Sequence, residues 1–437
     1  MELILTGVIA LIILLILLFL SVPIGFCFGV VGVGGLWWTL GFSSALATLK
    51  TVAYYQVSNY TWAVFPLFIL MGEVATEGQL TADAYNAARK WVGHVRGGLA
   101  FATTVAGTLF AAVCGSQMAA SVTMTKVAWP EMKKYEYDPA LSLGSILCAG
   151  SISTLIPPSI PFVVYGMLVN ESVGKLFIGG VIPGIIMATL IVVTVLIWIA
   201  INPEVAPKSP AETWKERFKV LPGVWTVLAL ILLIMGGLWG GVFTANEAAG
   251  IGAAGAMVIS LIKGRLTWRG SIRMLIASCA MSANIFFLLI TVQIFNQLLA
   301  VTNVTMTLAN WVAGLHLSGM MVLILILVVY AILGIPLEPG PLLLLTLPIF
   351  VPLLERMGID KVWFGILSTM TSNLAGLSPP VGMPLFLVHG IVKDDGIGLK
   401  TVFKGAWVFC LPILAALIIC LIWPQLTLWL PSTMFGK

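Results

Sequence analysis

The residues best suited to chemistry in this sequence are a few polar groups set among apolar neighbours. Glu338 is the one carboxylate in a stretch otherwise free of charge from Ala300 to Leu354. An ionisable side chain in such a setting is a functional candidate by default. The competing reading is a turn that reaches water and simply solvates it. Ser116 follows Gly115 in the run Cys114-Gly115-Ser116, and Ser159 and Ser378 flank two double prolines, Pro157-Pro158 and Pro379-Pro380. Hard cations take oxygen ligands from hydroxyls, carboxylates and backbone carbonyls. Gly115, Ser116, Pro157, Ser159, Gly334, Glu338, Ser378, Pro379 and Gly382 are therefore candidates to hold a sodium ion. Ser116, Gln117, Ser159 and Asn373 are candidates to bind an anionic substrate. A serine in a helix also serves close packing or bonds its own backbone, and that alternative stands beside each of them.

Other chemistries find little support. Six cysteines lie in apolar stretches without metal-ligand spacing and read as small packing residues, and three histidines are far apart. The sequence holds no HExxH, GxSxG or GxxxxGK[ST] string. No catalytic residue is assigned, and an enzyme is the remote alternative.

The elements that must position these groups follow from composition. Of 437 residues, 60% are hydrophobic and 9% charged. About a quarter of a soluble domain is charged, so this chain must present its surface to lipid. A helix of about 20 apolar residues crosses the hydrocarbon core. Spans are expected at Leu3 to Leu20, Pro23 to Phe42, Thr61 to Thr76 and Leu176 to Ile201. Others are expected at Leu221 to Phe243, Ala245 to Ile262, Met274 to Ala300 and Val402 to Trp423. The first has no basic residue before it and reads as a retained helix, not a removed signal. Glu73 falls near a span end and reads as solvated at the interface, and the many tryptophans read as interface anchors.

Two segments of each half are irregular. Leu99 to Lys126 is interrupted at Cys114-Gly115-Ser116, and Met320 to Leu354 at Gly334 to Pro341. Glycine and proline weaken helices there, which predicts two half-length helices joined by a turn, a re-entrant hairpin. Two kinked spans are the alternative. Pro139 to Val169 and Val362 to Val392 are each broken near the middle by their double proline, since a residue before proline leaves helical geometry. Gly150 to Gly166 (GSISTLIPPSIPFVVYG) and Ser372 to Gly390 (SNLAGLSPPVGMPLFLVHG) also resemble each other. This is the weak symmetry of a transporter built from repeats.

If each hairpin turns back to its side of entry, sixteen Lys and Arg fall on one side and five on the other, with Lys126 inside the first hairpin. The rich side holds Arg89, Lys90, Arg96, Lys133, Lys134, the linker's Lys208, Lys215, Arg217 and Lys219, the four from Lys263 to Arg273, and Lys393, Lys400 and Lys404. The poor side holds Lys50, Lys175, Arg356, Lys361 and Lys437. The positive-inside rule makes the rich side cytoplasmic. The expected organisation is an all-α, multi-span membrane protein of two inverted repeats. Residues 1–201 form the first, with a hairpin near 97–130 and a broken helix near 139–169. Residues 202–220 form a cytoplasmic linker. Residues 221–437 form the second repeat, with a hairpin near 320–354 and a broken helix near 362–392. Both termini are expected outside.

Several strings resemble one family over nearly the whole chain. Pro66 to Glu73 (PLFILMGE), Gly97 to Ala100, Phe110 to Ser116, Leu155 to Pro161 with Tyr165-Gly166, Asn246 to Ala249 and Ser378 to Gly382 with Leu385-Phe386 occur in order. They resemble the large membrane subunit of tripartite ATP-independent periplasmic (TRAP) transporters, the DctM-like family. The family often has Ser at Cys114, Thr at Ser378 and Asp at Glu338, and smaller residues at Gln117 and Met118. The resemblance implies an elevator-type fold with scaffold and transport domains. It implies uptake of C4-dicarboxylates, sialic acid or other small carboxylates at the bacterial inner membrane, driven by co-transported sodium without ATP. The implied partners are a small four-helix membrane subunit, expected as a separate polypeptide, and a periplasmic substrate-binding protein. No nucleic acid is implied. A self-sufficient sodium- or proton-coupled symporter or exchanger of similar plan is the alternative.

Overall fold

The computed structural model describes residues 2–20, 22–315 and 317–434. Lys437, counted above on the basic-poor side, and His316, inside the uncharged segment, lie outside the described residues. Helices account for the regular structure, with no strand among the described residues. In chain order they are α1 (Glu2–Phe19), α2 (Ile24–Leu40), α3 (Phe42–Ser58), α4 (Val64–Glu77), α5 (Leu80–Val92), α6 (Gly98–Cys114) and α7 (Gln117–Lys134). Then come α8 (Pro139–Ser151), α9 (Ile160–Val169), α10 (Val173–Ile201), α11 (Trp214–Lys219), α12 (Leu221–Trp239), α13 (Ala245–Ile262) and α14 (Trp268–Thr302). The last are α15 (Val304–Gly314), α16 (Gly319–Leu333), α17 (Pro339–Arg356), α18 (Lys361–Leu377), α19 (Met383–Val392), α20 (Leu399–Ile422) and α21 (Gln425–Ser432).

Helices lie over each expected span, and the chain breaks between α6 and α7, α16 and α17, α8 and α9, and α18 and α19. By length and composition, 6 helices can cross a membrane, or up to 7 if the bent pair 60–77 and 80–92 counts as one. The hairpin arms are longer than half a span. At 1.5 Å per residue their 15 to 18 residues reach about 23–27 Å. Each hairpin has its feet together. At the first, the Leu99 N–H donates to the Tyr137 hydroxyl at 3.3 Å. At the second, a Cβ on Gly319 would lie 3.4 Å from the Met357 carbonyl.

Helices α3, α5, α15 and α21 were not among the expected spans. The linker also carries one turn-rich helix, α11. Several helices start where a side chain takes over an orphan backbone donor. Asp138, Ser172, Thr244, Thr267 and Asp360 all accept from an N–H two or three residues on.

Polar contacts gather in two layers at opposite ends of the bundle. One layer joins Lys263 and Arg265 to Asp83, Arg273 to Glu77, Arg89 to Glu131, Lys90 to Glu216 and Lys133 to Asp395. The other joins Lys361 to Glu355, Lys175 to Glu171, Arg356 to Asn310, and the Tyr165 hydroxyl to the Lys361 carbonyl. Helix α10 separates them: its 29 residues rise about 44 Å from the second layer to the first. The feet of the first hairpin stand in the first, basic layer and those of the second hairpin in the other. Gly7 packs on Thr302 and Val304, and Gly174 on Met434, so both described ends lie in the basic-poor layer.

Packing sorts the helices into two groups. In one, α14 packs on α2, α3 and α4, and α13 on α4 and α12. In the other, α8 packs on α6, α7 and α20, α9 on α17, α18 on α16 and α20, and α19 on α7. Helix α5 bridges them through α12 and α6, and α15 does so through α1, α14 and α17.

Candidate functional site

The site grows from the two breaks. In the first broken helix, α8 ends in a 3-10 turn over Ile152–Thr154, and the chain stays open until Ser159 starts α9. The Ser159 hydroxyl donates to the Thr154 carbonyl and accepts from Phe162 N–H at 3.4 Å. It is fully buried and engaged within its own segment. The first hairpin tip sits against this break. Gly115 is left-handed at φ 66, where its missing Cβ matters twice: a Cβ would also lie 2.6 Å from the Pro158 carbonyl. The Ile160 N–H donates to the Gly115 carbonyl at 3.3 Å. Ser116 starts α7 and accepts from Ala119 N–H at 3.5 Å. The N-terminal ends of α7 and α9 therefore converge, and each presents positive dipole character to the same region.

In the second broken helix, α18 ends at Leu377 and α19 begins at Met383 after Gly382. Ser378 donates back to the Leu374 carbonyl at 2.7 Å and is half-buried. Pro379 and Gly382 are buried, while Pro380 and Val381 between them are exposed. Both Pro-Pro bonds are cis. The second tip meets this helix at Gly334, where a Cβ would lie 2.8 Å from the Ala375 Cβ. Glu338 starts α17 but makes no side-chain cap, and it is exposed on the chain surface with no ion pair among the described residues.

A buried polar cluster joins the halves. Asn373 Nδ2 donates to the Thr154 hydroxyl and to the Ser151 carbonyl, the latter at 3.4 Å. Gln117 Nε2 donates to the Ser151 hydroxyl at 2.8 Å. Asn373 Oδ1 is buried without a hydrogen-bond partner. A buried unpaired amide oxygen is costly, which marks it as a place for a further donor or cation. The structure thus brings Gln117, Asn373 and the Ser159 break together, the last through Thr154. Gly334 meets the second break three residues before Ser378. Glu338 stands apart from the polar cluster, at the start of α17.

Sequence reasoning missed three members. Ser151 and Thr154 connect the halves, and their signal was the polar pattern Ser151, Ser153, Thr154 ahead of a double proline. Glu73 is the third. It is half-buried and lines a narrow cleft with Ser116, Cys114, Thr76, Ile160 and Met281, which corrects its reading as a residue solvated at a span end. The cleft measures about 20 Å³, room for roughly one water-sized occupant. It lies between α4 and α14 of one helix group and the first hairpin tip of the other. Of the six cysteines, five are buried as packing residues and Cys279 is exposed; none is bonded to another.

Broken helices that meet hairpin tips inside an all-helical, lipid-facing chain define a multi-span membrane transport protein. Residues 11–426 match the sequence model of the family described as "Tripartite ATP-independent periplasmic transporter, DctM component", and the chain belongs to that family. It is 31% identical to the C4-dicarboxylate TRAP transporter large permease protein DctM of Pseudomonas aeruginosa, over 90% of this chain and 94% of that one. It is 28% identical to the sialic acid TRAP transporter large permease protein SiaM of Vibrio cholerae, over 96% of this chain and 97% of that one. The fold is similar to the crystal structure of the Alcanivorax borkumensis YdaH transporter, with a TM-score of 0.66, 14% identity, and coverage of 87% of this chain and 89% of that one. The relatives are transporter permease subunits, and this chain is a transport protein and not an enzyme.

Proposed function

We propose that this chain is the transport subunit of a sodium-gradient-driven importer of small organic acids in the bacterial inner membrane. It works with a small four-helix membrane subunit and a periplasmic binding protein that delivers the acid. The basic layer faces the cytoplasm and both termini face the periplasm. Residues 1–201 and 221–437 act as inverted repeats. The hairpin and broken-helix group is the moving transport domain, and the α2, α4, α13 and α14 group is the scaffold. The feet of the two hairpins in opposite layers support this plan.

The two junctions divide the work. At the first, two helix N-termini, Ser116, Gln117 and Ser159 form a donor-rich, anion-attracting region, with Asn373 beside it. At the second, the carbonyls of Gly334, Pro379 and Gly382, the Ser378 hydroxyl and the Glu338 carboxylate form a cation-attracting region. Half-helix N-termini suit a carboxylate and unwound carbonyls suit sodium. The observation that carries this reading is the buried cluster of Gln117, Ser151, Thr154 and Asn373, with its unpaired oxygen at the meeting of the two halves. The test is uptake by the complete complex in proteoliposomes, using a panel of organic acids and their binding proteins. Uptake should require an inward sodium gradient and the binding protein. Uptake without the gradient, or by this chain alone, would overturn the proposal and favour a self-sufficient carrier.

A further inference from the structure

A buried arginine in the linker lacks a counter-charge. Arg217, on α11, is 9% exposed, and none of the ion pairs among the described residues includes it. Its Nη2 lies 3.3 Å from His94 Nδ1, and its guanidinium sits 5.0 Å from the centre of the Trp214 ring. Its Nε is buried without a partner. The adjacent carboxylate, Glu216, is taken by Lys90 at 2.7 Å. A buried cation left unpaired is strongly unfavourable, so the arrangement calls for an anion.

The surroundings say which kind. Two residues after His94, exposed Arg96 lines a cleft of about 200 Å³. The rest of that cleft is apolar, formed by Val92, Val95, Phe101, Val192 and Leu196 between α6 and α10. It opens toward the outer face of α10, where Leu196 and Ile197 are exposed. Trp214 and Phe218 of α11 are exposed as well, in the position of interface anchors. A free phosphate would use the cations and leave the cleft unused. A phospholipid uses both.

We propose that Arg217, His94 and Arg96 bind the phosphate of an anionic phospholipid, with one acyl chain in the cleft between α6 and α10. Basic pockets between membrane helices hold anionic headgroups in this way. The bound lipid ties the linker to the turn between α5 and α6, at the bridge between the two helix groups.

The experiment is native mass spectrometry and lipid exchange on the purified full chain in detergent, with phosphatidylglycerol and phosphatidylcholine. The wild type should retain phosphatidylglycerol roughly thirtyfold better, from two cationic contacts with its net negative headgroup. Arg96→Gln, at an exposed position, should bring retention down to the phosphatidylcholine level, as should Arg217→Gln where it folds. Val192→Trp fills the cleft and leaves the cations; it should also lose the lipid. Equal retention of both lipids overturns the proposal. So does unchanged phosphatidylglycerol retention in Arg96→Gln and Val192→Trp. Displacement of the lipid by excess inorganic phosphate, with Val192→Trp without effect, would assign the cations to a free anion and overturn the lipid assignment.

Discussion

The two junctions between hairpin tip and broken helix are built from the same parts and differ in how those parts are used. At the first, backbone and hydroxyls satisfy one another: Gly115 accepts from Ile160, Ser116 and Ser159 start helices, and the whole break is buried save half-buried Ile156. At the second, the tip touches the helix through Gly334 and Ala375 by packing, the break is exposed at Pro380 and Val381, and Glu338 starts its helix without capping it. A closed, donor-rich junction is suited to hold an anion rigidly. An open junction with an unused carboxylate is suited to admit and release a cation. Under the proposed function the two junctions would then serve two chemistries, according to which polar groups are already engaged.

The largest expected contrast comes from the tip glycines. Gly115→Ala forces a side chain into a left-handed residue and against the Pro158 carbonyl, and should destabilise the chain by about 2–4 kcal/mol and stop uptake. Gly334→Ala has ordinary backbone geometry and meets the Tyr330 carbonyl at 2.7 Å and the Ala375 Cβ at 2.8 Å, and should cost about 1–2 kcal/mol. Thermal unfolding of both variants checks the order. A greater loss in Gly334→Ala would reverse the assignment of the rigid junction.

Asn373→Leu removes the bonds to Thr154 and Ser151 and should lower stability by about 1–3 kcal/mol, with at least tenfold slower uptake. Uptake at the wild-type rate would make the cluster simple packing. At the second junction, Glu338→Gln should leave unfolding within about 0.5 kcal/mol of wild type, because the side chain is exposed. It should nevertheless raise the sodium concentration needed for half-maximal uptake severalfold. Ser159→Ala should do the opposite, losing about 1 kcal/mol of helix start with sodium dependence unchanged. A sodium shift in Ser159→Ala and none in Glu338→Gln would exchange the roles of the two junctions.

Much of this was legible because glycine and proline mark breaks whatever surrounds them. The four helix breaks followed from Gly115, Gly334 and the double prolines in long apolar runs. The distribution of lysine and arginine foreshadowed the two polar layers. Helices α3, α5, α15 and α21 escaped because a short helix flanked by spans lacks the 20-residue apolar signature, and α5 carries the charged residues Asp83, Arg89 and Lys90. The polar cluster escaped because Asn373 and Thr154 are 219 residues apart. Nothing local in the chain links them. Glu73 was misread since distance along a span does not reveal which neighbour the side chain faces.

The smallest expected effect concerns the basic layer, common to both halves. Burial raises the Asp83 carboxyl, but hydrogen bonds and charge from Arg265 and Lys263 outweigh it and hold it below the usual aspartate value of 3.8. A depressed folded-state value means the stabilisation is present above that ordinary value and fades as pH falls through the lower, folded-state one. Asp83→Asn should therefore lower unfolding temperature modestly at neutral pH, and the gap to wild type should close only in strong acid. A constant gap down to strong acid would separate the effect from charge.

The claim that matters most is that both junctions travel together as one body. Spin labels at Met118→Cys near the first tip, Pro336→Cys at the second and Leu232→Cys on α12, in a cysteine-free chain, measure it by pulsed dipolar spectroscopy. Between conditions that favour outward and inward states, the Met118 to Pro336 distance should hold, while both distances to Leu232 should shift by several ångströms, as a rigid domain displacement requires. A Met118 to Pro336 distance that changes, with both distances to Leu232 fixed, would contradict the account and replace the moving block with local gating at the tips.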